Sequence, residues 1–542
     1  MAQKNPFDHG TKTVRPKWWI VLIRVILGKT IPQRLFRTYL LLIIVGSLLL
    51  WAPVSLQNNG YMSVIEADGT LQWNNYYFYD ALFIACSAIT DTGLSPAVIS
   101  YTFTGFGQAV ILILIEVGGI GLMTIIFLLW HMMRPKKNIN LNQIIMLQAE
   151  RGNEKIAGTY KSLKYSVLFI IILEILFGFL MAFWLCWMPV YNQVSSGNVY
   201  GLSHDSLIHI SAYHQFWTAL WQGMFTSVSA INNAGYDIFT GGFSMASLRS
   251  DWNVVFQLWV IIEFVIGGIG FPLIYDLIEK IKAKHKGVKY QLSLFTKLAL
   301  TGYLVVTIVG LAFAYGFEYG YTDLISGTNA YGGGYFDVAH YQSVHGEFGK
   351  NEEFNKVWAI FFNTMSTRSA GFSTVNQTIL SPGSQWTFII LMFVGASPSS
   401  TAGGIRTTTL MIIIWTAISK ISGKENIVMF NRKIPDKKVR DALLVTVVAT
   451  IIVALFSIIV FYCAPDNSQY TVLQSFYEVS SAFGTVGLSM GFTSSINAYG
   501  LFFLIIIMFV GQLGVSSTLL SWTKKNPKGN LVHYPEEDVR IG

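Results

Sequence analysis

Four segments of the 542-residue sequence combine small polar residues with a glycine, and an apolar residue follows each glycine. They are imperfect copies of one another: Thr90-Asp91-Thr92-Gly93, Asn232-Asn233-Ala234-Gly235, Arg368-Ser369-Ala370-Gly371 and Gly484-Thr485-Val486-Gly487. Glycine lets a backbone adopt the φ > 0 values that turn successive carbonyl oxygens toward one point, and such oxygens can replace the hydration shell of a cation. A single glycine would more simply indicate a turn or helix packing. Four at equivalent places favour a shared ion-binding site built from these residues.

The elements that must position these segments repeat with them. An aromatic-rich stretch too short to cross a bilayer precedes each segment, which predicts a re-entrant half-helix, and longer apolar runs lie on both sides. We expect half-helices at 75–90, 213–229, 354–366 and 472–483, and eight spanning helices at 38–51, 104–133, 165–190, 254–281, 292–317, 385–419, 443–463 and 498–522. This order predicts an all-α membrane protein of four repeats, each a helix, a re-entrant pore helix and a helix (M1-P-M2), with pseudo-four-fold symmetry around a central pore.

The repeats divide the chain into consecutive regions. We expect a cytoplasmic or interfacial N-terminal region at 1–37, with an interface helix at 18–36, and a cytoplasmic C-terminal tail at 523–542. Between them lie repeat 1 (38–133), repeat 2 (134–290), repeat 3 (291–420, with a loop at 395–406) and repeat 4 (421–522).

The composition is that of an integral membrane protein: 52% of the residues are hydrophobic and only 12% are charged, about half the charged fraction of soluble domains. The net charge of +8 indicates orientation rather than nucleic-acid binding, because most of the 37 Lys and Arg residues fall before 38, at 131–164, 276–297 and 420–440, and after 523. By the positive-inside rule these stretches and both termini lie in the cytoplasm. The half-helices then enter from outside, and the negative ends of their dipoles favour a cation near the bilayer centre.

Charged residues within the apolar regions need partners or water. Asp91 is a candidate for attracting cations to the pore mouth, with structural hydrogen bonding as the alternative. Arg368 would obstruct a cation path, so we expect its side chain to point away and to pair with a carboxylate, for which Glu116 and Glu263 are candidates. Either glutamate could equally make a packing hydrogen bond, and the Gly-Gly-Ile-Gly run after each of them indicates close helix packing.

Other chemistries find little support. The three cysteines, Cys86, Cys186 and Cys463, lie in apolar stretches and predict no disulfide framework, and the nine scattered histidines are more typical of a surface than of a metal site. The sequence has no apparent nucleophile–base pair, phosphate-binding loop or metal-ligand cluster. We therefore expect no enzyme activity, no organic cofactor and no metal beyond a transported ion. The alternative, an intramembrane enzyme acting on lipid, would need carboxylates or histidines clustered in one cleft.

The third repeat contains a long stretch that is unusual for a membrane helix: Phe393-Val394-Gly395-Ala396-Ser397-Pro398-Ser399-Ser400-Thr401-Ala402-Gly403-Gly404-Ile405-Arg406-Thr407-Thr408-Thr409. Glycine, serine and threonine at this density, with one proline, disfavour a continuous helix. The stretch therefore predicts a loop that lines a cavity within the membrane. The alternative is a simple helix kink at Pro398.

The four glycine segments and this loop resemble the superfamily of potassium transporters that includes bacterial Ktr and Trk and plant HKT proteins, over nearly the whole chain from about residue 38. The resemblance implies potassium uptake across the cytoplasmic membrane through a carbonyl-lined selectivity filter. It also implies that residues Gly395 to Gly404 form a gate beneath the filter. In the plant relatives, glycine at all four filter positions goes with selectivity for potassium over sodium.

Within the superfamily the chain most resembles the KtrB subunits, and residues 534–542 share in this resemblance. It implies a homodimer with one pore per subunit, seated on a cytosolic ring of nucleotide-binding regulatory subunits of the KtrA type that sense ATP or ADP. One departure is Gly511-Gln512-Leu513-Gly514, where the family usually has Gly-Arg-x-Gly. We count Gln512 among the gate residues and expect it to give a leakier or differently gated pore. Sodium-dependent transport and an uncoupled Na⁺/K⁺ channel both stay open.

Overall fold

The computed structural model describes residues 31–58, 60–65, 71–121, 124–125, 159–187, 190–193, 207–210, 216–239, 243, 253–324, 352–398, 400–424, 426–464 and 470–514. The described part is mostly helical. The expected tail at 523–542 lies outside these residues. So does most of the expected interface helix, and from Ile31 the chain already belongs to the first helix.

The helices follow in this order: α1 (Ile31–Trp51), α2 (Phe78–Ile89), α3 (Gly105–Ile120), α4 (Thr159–Trp187), α5 (Phe216–Ile231), α6 (Asn253–Ile269), α7 (Phe271–His285), α8 (Leu294–Leu324), α9 (Glu352–Ser366), α10 (Pro382–Phe393), α11 (Thr407–Ile421), α12 (Asp436–Tyr462), α13 (Val472–Gly484) and α14 (Ala498–Leu513). Three antiparallel strand pairs lie in the connections: β1 (Tyr61–Ile65) with β2 (Leu71–Asn75), β3 (Val190–Gln193) with β4 (Leu207–Ile210), and β5 (Val428–Met429) with β6 (Arg432–Lys433).

The four short helices α2, α5, α9 and α13 lie where the half-helices are expected, and we keep that name for them. Each packs against the long helix that precedes it, which is α1, α4, α8 or α12. Each half-helix also packs against one further helix: α5 against α3, α9 against α6, α13 against α10, and α2 against α14. The last of these contacts joins the end of the described chain to its beginning, so the helix packing closes in a circle.

Side-chain caps fix where two half-helices begin. Asp80, in the first turn of α2, accepts a hydrogen bond from the backbone N of Tyr77 (2.9 Å). At α13, Thr471 Oγ1 accepts from Gln474 N (3.3 Å) and Gln474 Oε1 accepts from Thr471 N (2.8 Å). These bonds satisfy donors that a helix start leaves open.

Glycines end α3, α6 and α14. These helices follow the half-helices α2, α5 and α13 and are called the second helices. Gly121 follows α3 with φ 86° and ψ 129°, Gly270 follows α6 with φ 89° and ψ 149°, and Gly514 follows α14 with φ 81° and ψ 142°. A right-handed helix cannot continue through such values, and glycine adopts them without a steric penalty. The expectation of continuous helices at 104–133, 254–281 and 498–522 is therefore wrong at these points. The segment Pro272–His285 is turned by 99° from Val254–Ile269.

Three described helices are long and apolar enough to cross a membrane: Lys164–Cys186, Leu294–Tyr319 and Asp436–Tyr462. A fourth is added if the bent pair Val254–Ile269 and Pro272–His285 counts as one span. Large apolar side chains on these helices are exposed, among them Ile172, Ile308 and Leu444, as contact with lipid requires. The glycine breaks shorten α3 and α14, and the expected total of eight spans stays a prediction.

Helices α4 and α5 approach closely at Gly223. A Cβ built on this residue would lie 2.7 Å from both Ala182 N and Gly178 O. No larger residue fits at this distance without displacing a helix backbone.

We predict that Gly223→Val destabilises the fold by about 1–3 kcal/mol, the usual cost of overpacking. Gly316→Ala is the matched control, because nothing lies within 4 Å of a Cβ built there and alanine favours a helix. Melting of the detergent-solubilised protein, followed by size-exclusion chromatography, should show a lower midpoint for Gly223→Val alone. Equal midpoints for both variants would contradict the close approach.

Candidate functional site

The four glycine segments begin where the half-helices end. In each segment the backbone N–H before the glycine donates to the last turn of its half-helix: Thr92 N to Ser87 O (2.8 Å), Ala234 N to Ser229 O (2.8 Å), Ala370 N to Ser366 O (2.9 Å) and Val486 N to Ser481 O (2.9 Å). The N–H and C=O of a trans peptide point in opposite directions. These bonds therefore turn four carbonyls away from the helix ends, those of Asp91, Asn233, Ser369 and Thr485.

All four segments share an unusual backbone. The residue two before each glycine is left-handed, with φ 49° at Asp91, 59° at Asn233, 66° at Ser369 and 47° at Thr485. The glycines themselves have φ 86° (Gly93), 69° (Gly235), 80° (Gly371) and 95° (Gly487). Because both conformations disfavour ordinary side chains, their recurrence shows that the segments are equivalent in structure as well as in sequence.

The four segments meet in a closed ring. A Cβ built on Gly235 would lie 2.7 Å from Gly371 Cα and 2.8 Å from Ala370 O. The other three glycines meet their neighbours even more tightly, where a Cβ would overlap a carbonyl oxygen: Gly93 with Ala234 O, Gly371 with Val486 O, and Gly487 with Thr92 O. Each segment thus touches the next and the fourth touches the first. Four carbonyl oxygens, of Thr92, Ala234, Ala370 and Val486, lie at the contacts between segments.

The side chains of the first two segments pack behind this ring. Asp91 is fully buried, and a Cβ on Gly118 of α3 would lie 3.1 Å from its carboxylate oxygen. A Cβ on Gly267 of α6 would likewise lie 2.7 Å from the side-chain oxygen of Asn233. The expected role of Asp91 at a pore mouth stays a prediction, and so does the structural alternative. The Thr90 hydroxyl donates a hydrogen bond to Cys86 O in the last turn of α2 (2.8 Å).

Three carboxylates lie beside the second segment, and Glu174 and Glu263 are buried while Glu116 is partly buried. The Asn232 amide donates to Glu116 (3.0 Å) and to Glu174 (3.1 Å), and the Ser227 hydroxyl donates to Glu263. The interpretation of Glu116 and Glu263 as packing hydrogen-bond partners is confirmed. Glu174 on α4 is a partner that the sequence reasoning missed.

Arg368 is fully buried but pairs with no carboxylate among the described residues. Its guanidinium donates to three backbone carbonyls at the end of α10, those of Leu391 (3.3 Å), Val394 and Gly395 (2.9 Å), and it lies 5.2 Å from the ring centre of Tyr303. The expectation of a carboxylate partner is therefore wrong. The end of a helix offers unpaired carbonyls and the negative end of its dipole, which together serve the same purpose.

Residues 394–406 form a loop between α10 and α11, so the alternative of a simple kink at Pro398 is wrong. The two ends of the loop pair with each other, since Ile405 N donates to Phe393 O (3.1 Å) and Thr407 N donates to Ala396 O (3.1 Å). Ser397 N donates to Gly268 O (3.1 Å), and Gly403 N donates to the Thr485 hydroxyl (2.6 Å). The loop therefore contacts both a neighbouring helix and the fourth glycine segment.

Gln512 lies in the last turn of α14, and its buried Oε1 has no hydrogen-bond partner in the described part of the chain. None of the hydrogen bonds described joins it to the loop. The three cysteines are free, and the described residues contain no group of three or more His, Cys, Asp or Glu placed to hold a metal ion.

Two supporting residues were not assigned a role from the sequence. Asn363 on α9 holds the chain after the third segment, with its amide bonded to Thr374 and Gln377. Glu478 on α13 does the same after the fourth segment through Ser489 and Thr493. A polar residue inside an aromatic half-helix is the signal that would have found them.

The circle of helices around a ring of backbone carbonyls is the architecture of a membrane transport protein. Residues 31–534 match the family model described as TrkH, cation transport protein, and the chain belongs to this family. The family is one of transporters and not of enzymes.

Relatives and a solved structure agree with this assignment. An uncharacterised cation transporter of Mycoplasma pneumoniae is 36% identical over 97% of this chain and 98% of its own length. The Ktr system potassium uptake protein B of Bacillus subtilis is 31% identical over 95% of this chain and 97% of its own. The crystal structure of the potassium transporter TrkH from Vibrio parahaemolyticus has a similar fold, with a TM-score of 0.60 over 95% of this chain and 86% of that one at 13% identity.

We predict that Arg368→Met lowers the stability of the protein, because each buried carbonyl left unpaired costs about 1–3 kcal/mol. Arg368→Lys should be less harmful, since it keeps a cation but not the forked geometry. Arg440→Met, at an exposed position on α12, is the control. The melting midpoint in detergent checks the order, and a midpoint for Arg368→Met equal to that of the control would show that the carbonyls find other partners.

Proposed function

We propose that this chain is the ion-translocating subunit of a potassium uptake system and that the ring of four glycine segments is its selectivity filter. One observation carries the proposal, which is the closed contact between Gly93, Gly235, Gly371 and Gly487 with backbone carbonyl oxygens between them. Irregular backbone at membrane depth must be buried in protein or line water. A ring of carbonyls on a water-filled axis can replace the hydration shell of a potassium ion.

The half-helices support a positive ion at this place. The C-terminal ends of α2, α5, α9 and α13 lead directly into the ring, and the C-terminus of a helix carries partial negative charge. Arg368 does not oppose this field at the axis, because its side chain is bonded to the end of α10. The side-chain amide of Asn232 is likewise bonded to Glu116 and Glu174, so the proposed ligands are backbone oxygens.

In this proposal the loop at 394–406 is the gate beneath the filter, and Gln512 is part of the gate region. The chain comprises four M1-P-M2 repeats with the boundaries given above. The basic ends of α7 and α11 and the basic start of α12 lie in the cytoplasm, as do both termini. The subunit forms a homodimer in the cytoplasmic membrane and is controlled by a cytosolic nucleotide-binding partner of the KtrA type.

Uptake of radioactive rubidium into liposomes, with and without sodium, tests the mode of transport. Sodium-dependent uptake is expected for a coupled system, and equal uptake in both conditions would indicate an uncoupled channel of the same fold. Growth rescue of a strain deficient in potassium uptake tests the function itself, and failure of an expressed, folded protein to restore growth would overturn it.

We predict that Gly93→Ser lowers the preference for potassium over sodium by roughly tenfold or more. A displaced carbonyl ligand that costs potassium about 1.4 kcal/mol of binding free energy relative to sodium suffices for this factor. The serine would be strained at φ 86° and its Cβ would overlap Ala234 O. Gly60→Ser is the matched control, because Gly60 has φ 85° but no atom within 4 Å of a Cβ. Cation competition in the rubidium assay measures the preference, and an intact preference in Gly93→Ser would remove the filter assignment.

We predict that deletion of 396–401 raises rubidium flux, because it removes the residues that occupy the path below the ring. The potassium preference should persist, since the glycine segments are unchanged. Flux in liposomes containing equal amounts of folded protein is the measurement. Unchanged flux would mean that the loop does not limit conduction.

A further inference from the structure

Thr485 is in a conformation that its side chain disfavours. It has φ 47° and ψ 56°, the left-handed region, where a β-branched residue is an outlier. The three equivalent positions hold Asp91, Asn233 and Ser369, which lack a branch at Cβ and tolerate this region better. Such strain persists only where surrounding contacts hold it, and it is concentrated at functional sites.

The contact that holds Thr485 comes from the gate loop. Its hydroxyl oxygen accepts a hydrogen bond of 2.6 Å from the backbone N of Gly403. A Cβ on Gly403 would lie 2.6 Å from Thr485 Cγ2, and one on Gly404 would lie 3.3 Å from Gly484 Cα. The C-terminal part of the loop is thus pressed against the fourth glycine segment with no room for side chains between them.

The N-terminal part of the loop is held by the third glycine segment. Arg368 donates to Val394 O and Gly395 O, where the loop begins. Because the two ends of the loop also pair through Ile405 N and Phe393 O, the loop forms one closed unit attached to the ring at two points. The arginine attachment is charged and shared among three carbonyls, whereas the threonine attachment is a single neutral hydrogen bond. The threonine is therefore the attachment that opens at lower cost.

We propose that Thr485 is a positioning residue that latches the gate loop to the filter, so that the loop leaves the conduction path when the bond between Gly403 N and the Thr485 hydroxyl opens. This inference rests on the proposed function. The strain at Thr485 favours release, and Arg368 keeps the loop anchored after the latch has opened. Ion occupancy in the fourth segment and the position of the gate are then coupled through one residue.

The test compares Thr485→Val with Thr485→Ser in the rubidium assay. Valine keeps the shape and removes the acceptor, so basal flux should rise roughly fivefold, as expected for the loss of one hydrogen bond of ordinary net strength. Serine keeps the hydroxyl and should restore the wild-type flux. Thr450→Val is the matched control, because its hydroxyl bonds only within α12, to Thr446 O (2.9 Å). If valine does not fold, Thr485→Ala removes the acceptor with a smaller side chain, and the same rise in basal flux is expected.

Combination with the deletion of 396–401 separates a latch from a merely structural role. A latch has nothing to hold once the loop is shortened, so Thr485→Val should add no flux in the deleted protein. An equal effect in both backgrounds, or lower flux with lost potassium preference, would overturn the latch. If the deletion alone raises flux and Thr485→Val does not, the latch fails while the gate stands. If the deletion has no effect, the gate itself fails.

Discussion

The structure depends on one constraint, that backbone polar groups inside a lipid bilayer must find partners in the protein or in enclosed water. The four half-helices meet this constraint for the N–H groups of the glycine segments, which donate to serine carbonyls one turn back. The carbonyls of the same peptide groups point away from the helix ends. In the proposed function, the pairing rule that permits irregular backbone inside a membrane therefore also supplies the oxygen ligands for a dehydrated cation.

Close packing holds this ring in place. Gly118, Gly267 and Gly511 on the second helices bring those helices against the carbonyl ends of three half-helices, where any Cβ would overlap Ile89 O, Ile231 O or Phe483 O. The second helices then break at the next glycine of positive φ. One glycine of each run allows the close contact and the glycine three residues later ends the helix, and both uses follow from the missing side chain.

Charged side chains near the ring are hydrogen-bonded to backbone carbonyls and to a side-chain amide. Arg368 uses the end of a helix instead of an acid, and two carboxylates share the amide of Asn232. These arrangements give the charges of Arg368, Glu116 and Glu174 polar partners within the protein. An ion on the axis would then interact mainly with carbonyl dipoles, whose strength is set by the backbone and not by the protonation of a side chain.

The sequence alone determined the membrane class, the family resemblance, the four half-helices to within a few residues, and the equivalence of the four glycine segments. These features depend on composition and on local patterns that repeat. Only the tertiary structure decided that the segments close in a ring, that α3, α6 and α14 end at Gly121, Gly270 and Gly514, that Asp91 is buried, and that Arg368 pairs with carbonyls. The partners of Asn232 and of Thr485 lie on other helices or in the loop between α10 and α11, and no local pattern encodes such distant contacts.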